Sequence, residues 1–338
     1  MPLSLALQSL ELPLKHPFTI TRSSQDTAPT VVYRLNWNGI EALGETYPSQ
    51  RYGESDATIR AHFAAHPLAG DSPYVLDALL DGRPPAARCG LDIALHDAIG
   101  KDLGRPLWQL LGLDPSRTPV TSLTIGIASL DRMLEKVREV GSHPILKIKL
   151  GVGNEIETIE AVRSIYRGTI RIDANEGWDH EQAVRILREL ERFEIEFCEQ
   201  PIPAGEPAKL RYIREHTRIP IVVDEDARDA RDLAALIRCV DGINIKLVKC
   251  GGIRGALAMI HTARALGMRI MLGCFIESAI CTTAAAHLTP LVDWADLDGP
   301  LLVASDPFAG VVYERGKLVL PAAPGLGVVE RKAEVAAR

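Results

Sequence analysis

The sequence has no long run of basic residues, and this absence bears on what the protein can bind. Its 38 Lys and Arg residues are outnumbered by 44 Asp and Glu residues, which gives a formal net charge of −6 at pH 7. Binding to nucleic-acid phosphates needs clustered Lys and Arg side chains. We therefore do not expect a nucleic acid to be the main partner, and no segment indicates a membrane partner.

The chain also lacks two features of exported proteins. Its six cysteines include no C-x-x-C pair, and such scatter in a long chain fits reduced thiols that mostly fill the core. The N-terminal stretch MPLSLALQSLELPLKHPF has no charged region before its apolar residues, and Glu11 and Lys15 follow soon after. We therefore expect neither a signal peptide nor an anchor, and we predict a cytoplasmic protein.

What is present from residue 120 onward is an alternation of short apolar runs with helix-length amphipathic segments. The eight runs occupy residues 120–126, 145–150, 170–174, 195–200, 221–225, 242–247, 269–274 and 294–299. A strand and then a helix, repeated at a spacing of roughly 25 residues up to eight strands, is typical of a parallel (β/α) barrel. We therefore predict an α/β fold with a modified (β/α)7β TIM-type barrel over residues 118–305.

The first part of the chain has a different pattern. The segment TVVYRLNWNGIEALGE predicts a strand meander with a turn at WNG, and AARCGLDIALHDAIGKDLGRPLWQLLG predicts a long helical region. Residues 1–117 are therefore predicted to form an α+β capping domain. The tail, residues 306–338, contains VVYERGKLVL, which resembles a hairpin, and we expect it to rejoin the cap.

Charged residues close almost every predicted strand of the barrel. Active sites of such barrels lie at the C-terminal ends of the strands, so these residues are candidates for one shared site. They are Lys147, Lys149, Asp173, Glu199, Asp224, Glu225, Lys246, Asp296 and Asp298.

Three of these acids have the pattern of a metal site. Asp173, Glu199 and Asp224 follow three consecutive strands at separations of 26 and 25 residues, so their carboxylates can converge. Hard oxygen ligands favour Mg²⁺ over zinc, which prefers His and Cys. Each acid could instead cap the helix that follows it, but capping needs no lysine neighbours.

The lysines predict proton transfer. Strands two and six are diametrically opposed in an eight-stranded barrel, so Lys149 and Lys246 should face each other across the substrate. Two opposed bases at one carbon can invert its configuration, provided that burial or a neighbouring cation such as Lys147 lowers the lysine pKa. Mg²⁺ would stabilise the enolate as a Lewis acid. The alternative is that Lys147 and Lys149 only extend from the strand end into solvent.

Asp296 and Asp298 lie at positions i and i+2 of the eighth predicted strand and so share a face. Two carboxylates far from the metal ligands would suit a cationic group at the distal end of the substrate. An α-ammonium fits, and a molecule with a reacting carboxylate at one end and an ammonium at the other is a dipeptide. These acids could instead form salt bridges within the barrel or cap the turn before Gly299.

The motifs KIK, DAN, CEQP, VDE and INIKLVKCGG appear in the order and spacing of the enolase superfamily, and the chain resembles its muconate-lactonising subgroup over nearly the whole length. Within it, ADLDGP after MLGCFIES is similar to the dipeptide epimerases, and PFTITR and RYGESD are similar to the L-Ala-D/L-Glu epimerases of murein peptide recycling. Members of the superfamily use a Lys or His base with Mg²⁺, so the resemblance implies the same chemistry.

The resemblance implies further roles. Arg22, in a cap-domain loop, would bind the γ-carboxylate of a substrate Glu side chain. Asp226 stands where the family usually has Ser, and Glu225 would be a partner to a lysine. The superfamily also implies a homo-oligomer.

Other functions remain open at this point. The protein could be an epimerase for another dipeptide, or an N-succinylamino acid racemase or o-succinylbenzoate synthase, whose substrates carry no ammonium. A sugar-acid dehydratase would use a His after the seventh strand, where this chain has Cys274 and Glu277 and no His before His287. An inert metal-dependent binding module is the alternative outside catalysis.

Overall fold

The protein is described by a computed structural model that covers residues 2–331. Its strands are β1 (Ser4–Ile20), β2 (Ser23–Trp37), β3 (Ile40–Thr46), β4 (Leu123–Ile125), β5 (Ile145–Lys149), β6 (Thr169–Asp173), β7 (Ile195–Glu199), β8 (Ile221–Val223), β9 (Gly242–Lys246), β10 (Arg269–Gly273), β11 (Trp294–Asp296), β12 (Phe308–Ala309), β13 (Val312–Glu314), β14 (Lys317–Val319) and β15 (Val329–Glu330).

The α-helices are α1 (Asp56–Ala65), α2 (Leu76–Leu80), α3 (Pro85–Asp102), α4 (Leu107–Leu110), α5 (Leu130–Val140), α6 (Glu155–Ile165), α7 (His180–Leu190), α8 (Pro207–His216), α9 (Leu247–Cys250), α10 (Ile253–Ala265), α11 (Ala279–Ala286) and α12 (Gly299–Leu302). Short 3₁₀ segments cover Gln50–Tyr52, Pro115–Arg117, Glu191–Phe193, Asp232–Leu236 and Thr289–Leu291.

The cap consists of an antiparallel sheet of β1, β2 and β3 with α3 packed on it. The predicted turn at WNG is confirmed, since Asn38 and Gly39 both have positive φ and connect β2 to β3. Helix and sheet approach so closely that a Cβ at Gly44 would lie 1.9 Å from the Gly90 carbonyl oxygen. Only glycine permits that approach, and it seats α3 firmly on the sheet.

The barrel is confirmed. Its eight strands pair in the order β11-β10-β9-β8-β7-β6-β5-β4, all in parallel, and each coincides with one of the predicted runs. A parallel bridge between Thr121 and Ala295 and a 3.1 Å hydrogen bond from Ser122 N to Ala295 O bring β11 next to β4. The sheet is therefore nearly closed, and the strand ends share one mouth.

The cap is fixed to the barrel by a buried carboxylate. Glu45 of β3 accepts hydrogen bonds from the backbone N–H of Ser278 at 2.9 Å and of Cys281 at 2.8 Å, at the start of α11. Thr30 Oγ1 donates to the same carboxylate at 2.7 Å. A negative charge at a helix N-terminus is favourable, so the cap is held in a defined position above the barrel mouth.

One predicted helix takes another form. The segment ARDLAALIRC was expected to be a helix between the fifth and sixth barrel strands, but only a short 3₁₀ segment, Asp232–Leu236, forms there. The Asp232 carboxylate accepts the backbone N–H groups of Arg228 and Asp229. Such side-chain bonds compete with a regular α-helix, which explains the tighter turn.

The tail contacts both parts of the molecule. The predicted hairpin is present as β13 and β14 with Arg315 and Gly316 at its turn, and Gly316 O accepts from Thr121 N of the barrel at 2.8 Å. Further along, Leu326 N donates to Asp97 of α3 at 2.8 Å. Residues 332–338 of the tail lie outside the described residues. The domain boundaries at 117/118 and 305/306 stay a prediction that these contacts support.

The cysteines have the surroundings expected of core residues. All six are free thiols, and five of them are buried, with Cys274 partly exposed. Among residues 2–331 no helix is both long and apolar enough to cross a bilayer.

Candidate active site

A pocket of about 440 Å³ opens between the barrel mouth and the cap. This volume is in the range of small-molecule sites. From the barrel it is lined by Lys147, Lys149, Asp224, Glu225, Lys246, Asp296 and Asp298, and from the cap by Phe18, Ile20, Arg22, Arg51 and Tyr52. The pocket therefore brings together most of the charged residues expected at the strand ends, while Asp173 and Glu199 lie beneath its surface.

Lys147 lies at the centre of an ion cluster. Its Nζ is 2.6 Å from Glu199 Oε2, 2.6 Å from Asp296 Oδ2 and 3.1 Å from Asp173 Oδ2. Burial disfavours its charge, but Asp296 and Glu199 outweigh burial and raise the pKa of Lys147 well above its usual range. Lys147 is thus a fixed cation, which excludes the alternative of a lysine extending into solvent.

The two proposed bases stand on strands that are four positions apart in the eight-stranded sheet, β5 and β9. Lys149 Nζ contacts Asp173 Oδ2 at 2.6 Å, and Lys246 Nζ contacts Asp224 Oδ2 at 3.0 Å. Lys246 Nζ also lies 4.6 Å from the centre of the Phe275 ring. Both ammonium groups line the same pocket from opposite sides of the barrel.

The pKa of Lys246 is raised in this arrangement, whereas a lysine that acts as a base needs a lowered pKa. Burial lowers its pKa, but the carboxylates of Asp224 and Glu199 act in the other direction and the net pKa is raised. Asp224, in contact with the Lys246 ammonium group at 3.0 Å, contributes the most to this rise. Lys246 can give up a proton readily only when another cation shares those carboxylates.

Three carboxylates stand on neighbouring strands as predicted. Asp173 and Glu199 are aligned partners of β6 and β7, and Asp224 follows β8 directly. Burial raises the pKa of Glu199, and the charge of Asp173 adds to the rise. For Asp173 burial acts in the same direction, but Lys149 and Lys147 prevail and lower its pKa.

These acids fit a hard divalent cation by their chemistry. All three offer carboxylate oxygens, which Mg²⁺ prefers, and Glu199 Oε2 already holds a cation, the Lys147 ammonium group, at 2.6 Å. Within residues 2–331 no group of three or more His, Cys, Asp or Glu side chains is arranged as a finished metal site. The Lys147 ammonium group lies between Asp173 and Glu199, while Lys246 and Lys249 contact Asp224.

Asp296 and Asp298, the two aspartates of the eighth predicted strand, differ in a way that the sequence did not predict. Strand β11 ends at Asp296, so Asp298 lies outside it, just before α12. Asp296 is also not far from the proposed metal ligands, because it shares Lys147 with Glu199. Closure of the barrel accounts for this, since β11 lies beside β4 and only two strands from β5.

Both oxygens of Asp296 have partners, whereas Asp298 is less satisfied. Ser122 Oγ donates to Asp296 Oδ1 at 2.5 Å and Lys147 takes Oδ2. Thr124 N donates to Asp298 Oδ2 at 2.6 Å, and no cationic side chain of the described chain is within salt-bridge distance of Asp298. Burial and the charge of Asp296 raise the pKa of Asp298 to about 6, so a cation here would be favourable.

Arg22 lies at the tip of the β1–β2 hairpin, over the pocket. It donates to Glu225 Oε1 at 2.6 Å, to Glu176 Oε2 at 3.2 Å and to the Asn175 carbonyl at 3.1 Å. Glu225 thus pairs with an arginine and not with the lysine expected from the sequence. Burial and neighbouring Asp224 raise the pKa of Glu225 to about 7.

Thr21, beside Arg22, fastens the hairpin tip to the barrel. Its hydroxyl lies 3.0 Å from Leu150 O and 2.9 Å from Ala174 O, at the ends of β5 and β6. The tip therefore rests on the strands that carry Lys149 and Asp173.

Sequence reasoning missed several residues of this site. Glu176 joins Arg22 to Arg51, whose guanidinium lies 2.6 Å away. Gln200 and Lys249 contact the turn that carries Asp224. Both were visible in the motifs CEQP and INIKLVKCGG, but strand periodicity gives no signal for residues that follow a strand, as Gln200 and Lys249 do.

Comparison with known proteins identifies the family. Residues 5–112 match the family described as Mandelate racemase / muconate lactonizing enzyme, N-terminal domain, and residues 129–334 match Enolase C-terminal domain-like. The first family covers most of the cap, and the second covers the barrel from α5 onward, without β4.

Individual relatives cover nearly the whole chain. An L-Ala-D/L-Glu epimerase of Bacteroides thetaiotaomicron is 38% identical over 95% of this chain and 86% of its own length. A hydrophobic dipeptide epimerase of Roseobacter litoralis is 36% identical over 93% of this chain and 95% of its own length.

Solved structures agree with these sequence matches. The L-Ala-D/L-Glu epimerase from Bacillus subtilis, in a substrate-liganded complex, has a TM-score of 0.91 at 29% identity and covers 97% of this chain and 98% of its own. A dipeptide epimerase from Cytophaga hutchinsonii, complexed with Mg and D-Ala-L-Val, has a TM-score of 0.90 at 31% identity. The match covers 99% of this chain and 97% of the epimerase chain. The chain therefore belongs to the enolase superfamily and has the cap and barrel of its mandelate racemase and muconate-lactonizing members.

Proposed function

We propose that the protein is a Mg²⁺-dependent dipeptide epimerase that inverts the α-carbon of the C-terminal residue. The observation that carries the proposal is the placement of Lys149 and Lys246 on opposite sides of one pocket, on β5 and β9. One lysine removes the α-proton from one face of the substrate, and the other returns a proton to the opposite face. Lys147 is the nearby fixed cation that helps to hold the negative charge of the enolate.

Asp173, Glu199 and Asp224 would hold the magnesium ion, as their chemistry suits it. When bound, the ion supplies Lewis-acid stabilisation of the substrate carboxylate as negative charge develops. The magnesium ion would also share these carboxylates with the lysines. Its charge would lower the lysine pKa, and a lysine needs a lowered pKa to act as a base.

Asp298 is proposed to bind the α-ammonium of the substrate. It lines the pocket and is buried. Thr124 N donates a hydrogen bond to its Oδ2 oxygen and not to Oδ1. Asp296 contributes negative charge nearby, although its own oxygens are held by Ser122 and Lys147. An N-succinylated substrate offers no such cation, which argues against the racemase and synthase alternatives.

We propose that the substrate is the dipeptide L-Ala-D/L-Glu and that the protein acts in murein peptide recycling. We also propose that it is cytoplasmic and forms a homo-oligomer. Support comes from Arg22 and Arg51 in the pocket lining, which suit an acidic side chain, and from relatives named for this activity. A second candidate is an apolar dipeptide, because Phe18, Ile20 and Phe275 line the same pocket and a relative is named for hydrophobic dipeptides.

The test is α-proton exchange in D₂O with Mg²⁺, followed by NMR, over L-Ala-L-Glu, L-Ala-L-Phe, a cationic dipeptide and N-succinyl-L-Phe. We expect exchange with inversion, concentrated on L-Ala-L-Glu. A preference for L-Ala-L-Phe would keep the two-lysine mechanism and reject the role of Arg22. Activity on the succinyl compound alone would reject the role given to Asp298, and no exchange with any compound would reject catalysis.

A further inference from the structure

The side chain of one glutamine, Gln200, binds the backbone N–H of Asp224, the proposed metal ligand after β8. Gln200 Oε1 accepts the N–H groups of Asp224 at 3.0 Å, Glu225 at 3.0 Å and Asp226 at 3.4 Å. Three consecutive N–H groups directed at one oxygen form a concave backbone site that usually attracts an anion. Here a neutral amide oxygen occupies it.

The other end of the Gln200 amide is fixed as well. Its Nε2 donates to Ile202 O at 2.9 Å and to Asp226 Oδ2 at 2.7 Å. Asp226 Oδ1 in turn accepts Gly205 N at 2.7 Å, which gives a role to the aspartate that replaces the usual serine. Gln200 has a φ of +32°, a conformation that a non-glycine residue keeps only when its surroundings hold it there.

A neutral side chain at this position has an electrostatic consequence. Glu199 precedes Gln200 in the chain, and Asp224 and Glu225 donate their N–H groups to it. A glutamate in place of Gln200 would add a buried negative charge to this group of acids. It would also lose the Nε2 donor and face Asp226 with a like charge.

Lys249 holds the opposite side of Asp224. Its buried ammonium group donates to Asp224 Oδ1 at 2.5 Å and to the Asp224 carbonyl at 2.5 Å. It also donates to Ala227 O at 2.9 Å and to Asn244 O at 3.1 Å. All three protons of the ammonium group can be used within this set, so Lys249 is committed to the turn and is not a candidate base.

We infer that Gln200 and Lys249 are positioning residues that leave Asp224 Oδ2 as the oxygen presented to the pocket. Gln200 fixes the backbone of the turn, and Lys249 fixes Oδ1. Oδ2 is the oxygen that faces Lys246, at 3.0 Å. This inference rests on the proposed function, because it assigns Asp224 to metal binding.

The test is a titration of the substrate-free protein with Mn²⁺, used in place of Mg²⁺ because its free form is counted by electron paramagnetic resonance. Loss of a group that orients a metal ligand typically weakens metal binding by about 10- to 100-fold. We expect this loss in Lys249→Met and in Gln200→Glu, with the melting temperature measured on the same samples.

Lys101→Met is the matched control. Lys101 also donates to a carbonyl and a carboxylate, Glu41 O at 2.8 Å and Asp97 Oδ2 at 2.7 Å, but it does so in the cap. It should lower the melting temperature without changing Mn²⁺ affinity. If Lys249→Met does not fold, Gln200→Glu decides the matter, since it keeps the size of the side chain.

The possible outcomes separate this inference from the proposed function. Mn²⁺ affinity equal to that of the parent in the folded variants would overturn the inference while leaving epimerase activity intact. Weakened affinity in both variants, with no exchange of any dipeptide by the parent, would support the inference and reject the proposed reaction. A parent protein that binds no Mn²⁺ would overturn both.

Discussion

The pocket has a floor and a rim whose charges lie in different surroundings. The floor consists of Lys147, Lys149, Asp173, Glu199 and Asp224, and it is deeply buried, with 3% of the Lys147 side chain and none of the Glu199 side chain exposed. The rim consists of Arg22, Arg51 and Glu176, and its two arginine side chains are 34% and 36% exposed. Glu225, the partner of Arg22, lies below the rim with 1% of its side chain exposed.

This difference separates chemistry from selectivity. Removal of one partner from a buried ion pair leaves a charge without compensation and costs about 3–5 kcal/mol, whereas an exposed pair contributes about 0–1 kcal/mol. A change in the floor should therefore abolish a step of the reaction. A change at the rim can alter which side chain is accepted without loss of the fold.

The largest effect on the reaction is expected from Lys149, in the floor, and from Lys246, on the opposite side of the pocket. Lys149→Met or Lys246→Met should each lower kcat for epimerisation by about 1,000-fold, the contribution of one positioned acid or base. Each variant should keep α-proton exchange from one epimer only, which NMR in D₂O measures. The exposed Lys209→Met is the control and should behave as the parent, and equal loss of exchange from both epimers would show that the lysine concerned is structural.

The next largest effect is expected from Asp298, which forms no salt bridge with a side chain of the described residues. Asp298→Asn keeps an acceptor for Thr124 N but loses the charge, so kcat/KM for a dipeptide should fall by about 10- to 150-fold, the equivalent of a hydrogen bond between charged groups. Steady-state assays measure this. Unchanged turnover of L-Ala-L-Glu by the variant would contradict ammonium binding at this position.

At the rim the effect should be smaller and selective. Arg22→Met should raise KM for L-Ala-L-Glu by about tenfold, on the scale of one partly exposed charged contact, and should leave L-Ala-L-Phe nearly unchanged. Arg51→Met is the comparison, because Arg51 contacts Glu176 at 2.6 Å. Equal changes for both dipeptides in Arg22→Met would mean that this arginine only holds the hairpin tip in place.

The smallest effect is expected outside both regions, where α3 of the cap meets α10 of the barrel. Although burial acts in the opposite direction, the Asp92 carboxylate prevails over Arg254 and raises the pKa of His96. A raised histidine pKa stabilises the folded state fully below about pH 6.5, the unfolded value. That stabilisation is lost as the pH rises through the folded pKa.

Urea unfolding at several pH values tests this expectation. In the parent, the unfolding free energy should contain a contribution that declines above pH 6.5, and in His96→Gln that contribution should be absent. Metal affinity should not change in this variant. An identical pH profile in parent and variant would show that His96 does not titrate in this range.

The floor could be predicted from sequence because strand geometry fixes it. Lys149, Asp173 and Glu199 are aligned partners in neighbouring strands, and their spacing along the chain alone places them at one mouth. The contact between Asp296 and Lys147 could not be predicted in the same way. It depends on barrel closure, which brings together residues 149 positions apart.

The rim and the supports of Asp224 lay beyond sequence reasoning for another reason. Arg22 meets Glu225 across 203 positions, at a contact between two loops. Gln200 acts from the segment after β7 and Lys249 from the four-residue helix α9, and neither is long enough to show a strand or helix periodicity. The same holds for the pKa of Lys246, which depends on the carboxylates that it touches.

The long β1–β2 hairpin has a mechanical consequence. Its ladder is regular from Ser4 to Pro13 and again from Phe18 to the tip, with an irregular segment between. That segment is tied to the barrel, where Ala304 N donates to Pro13 O at 2.7 Å and Leu14 forms a bridge with Val303. The outer arm is thus held at both ends, at its base by these contacts and at its tip by the bonds of Thr21 to Leu150 O and Ala174 O.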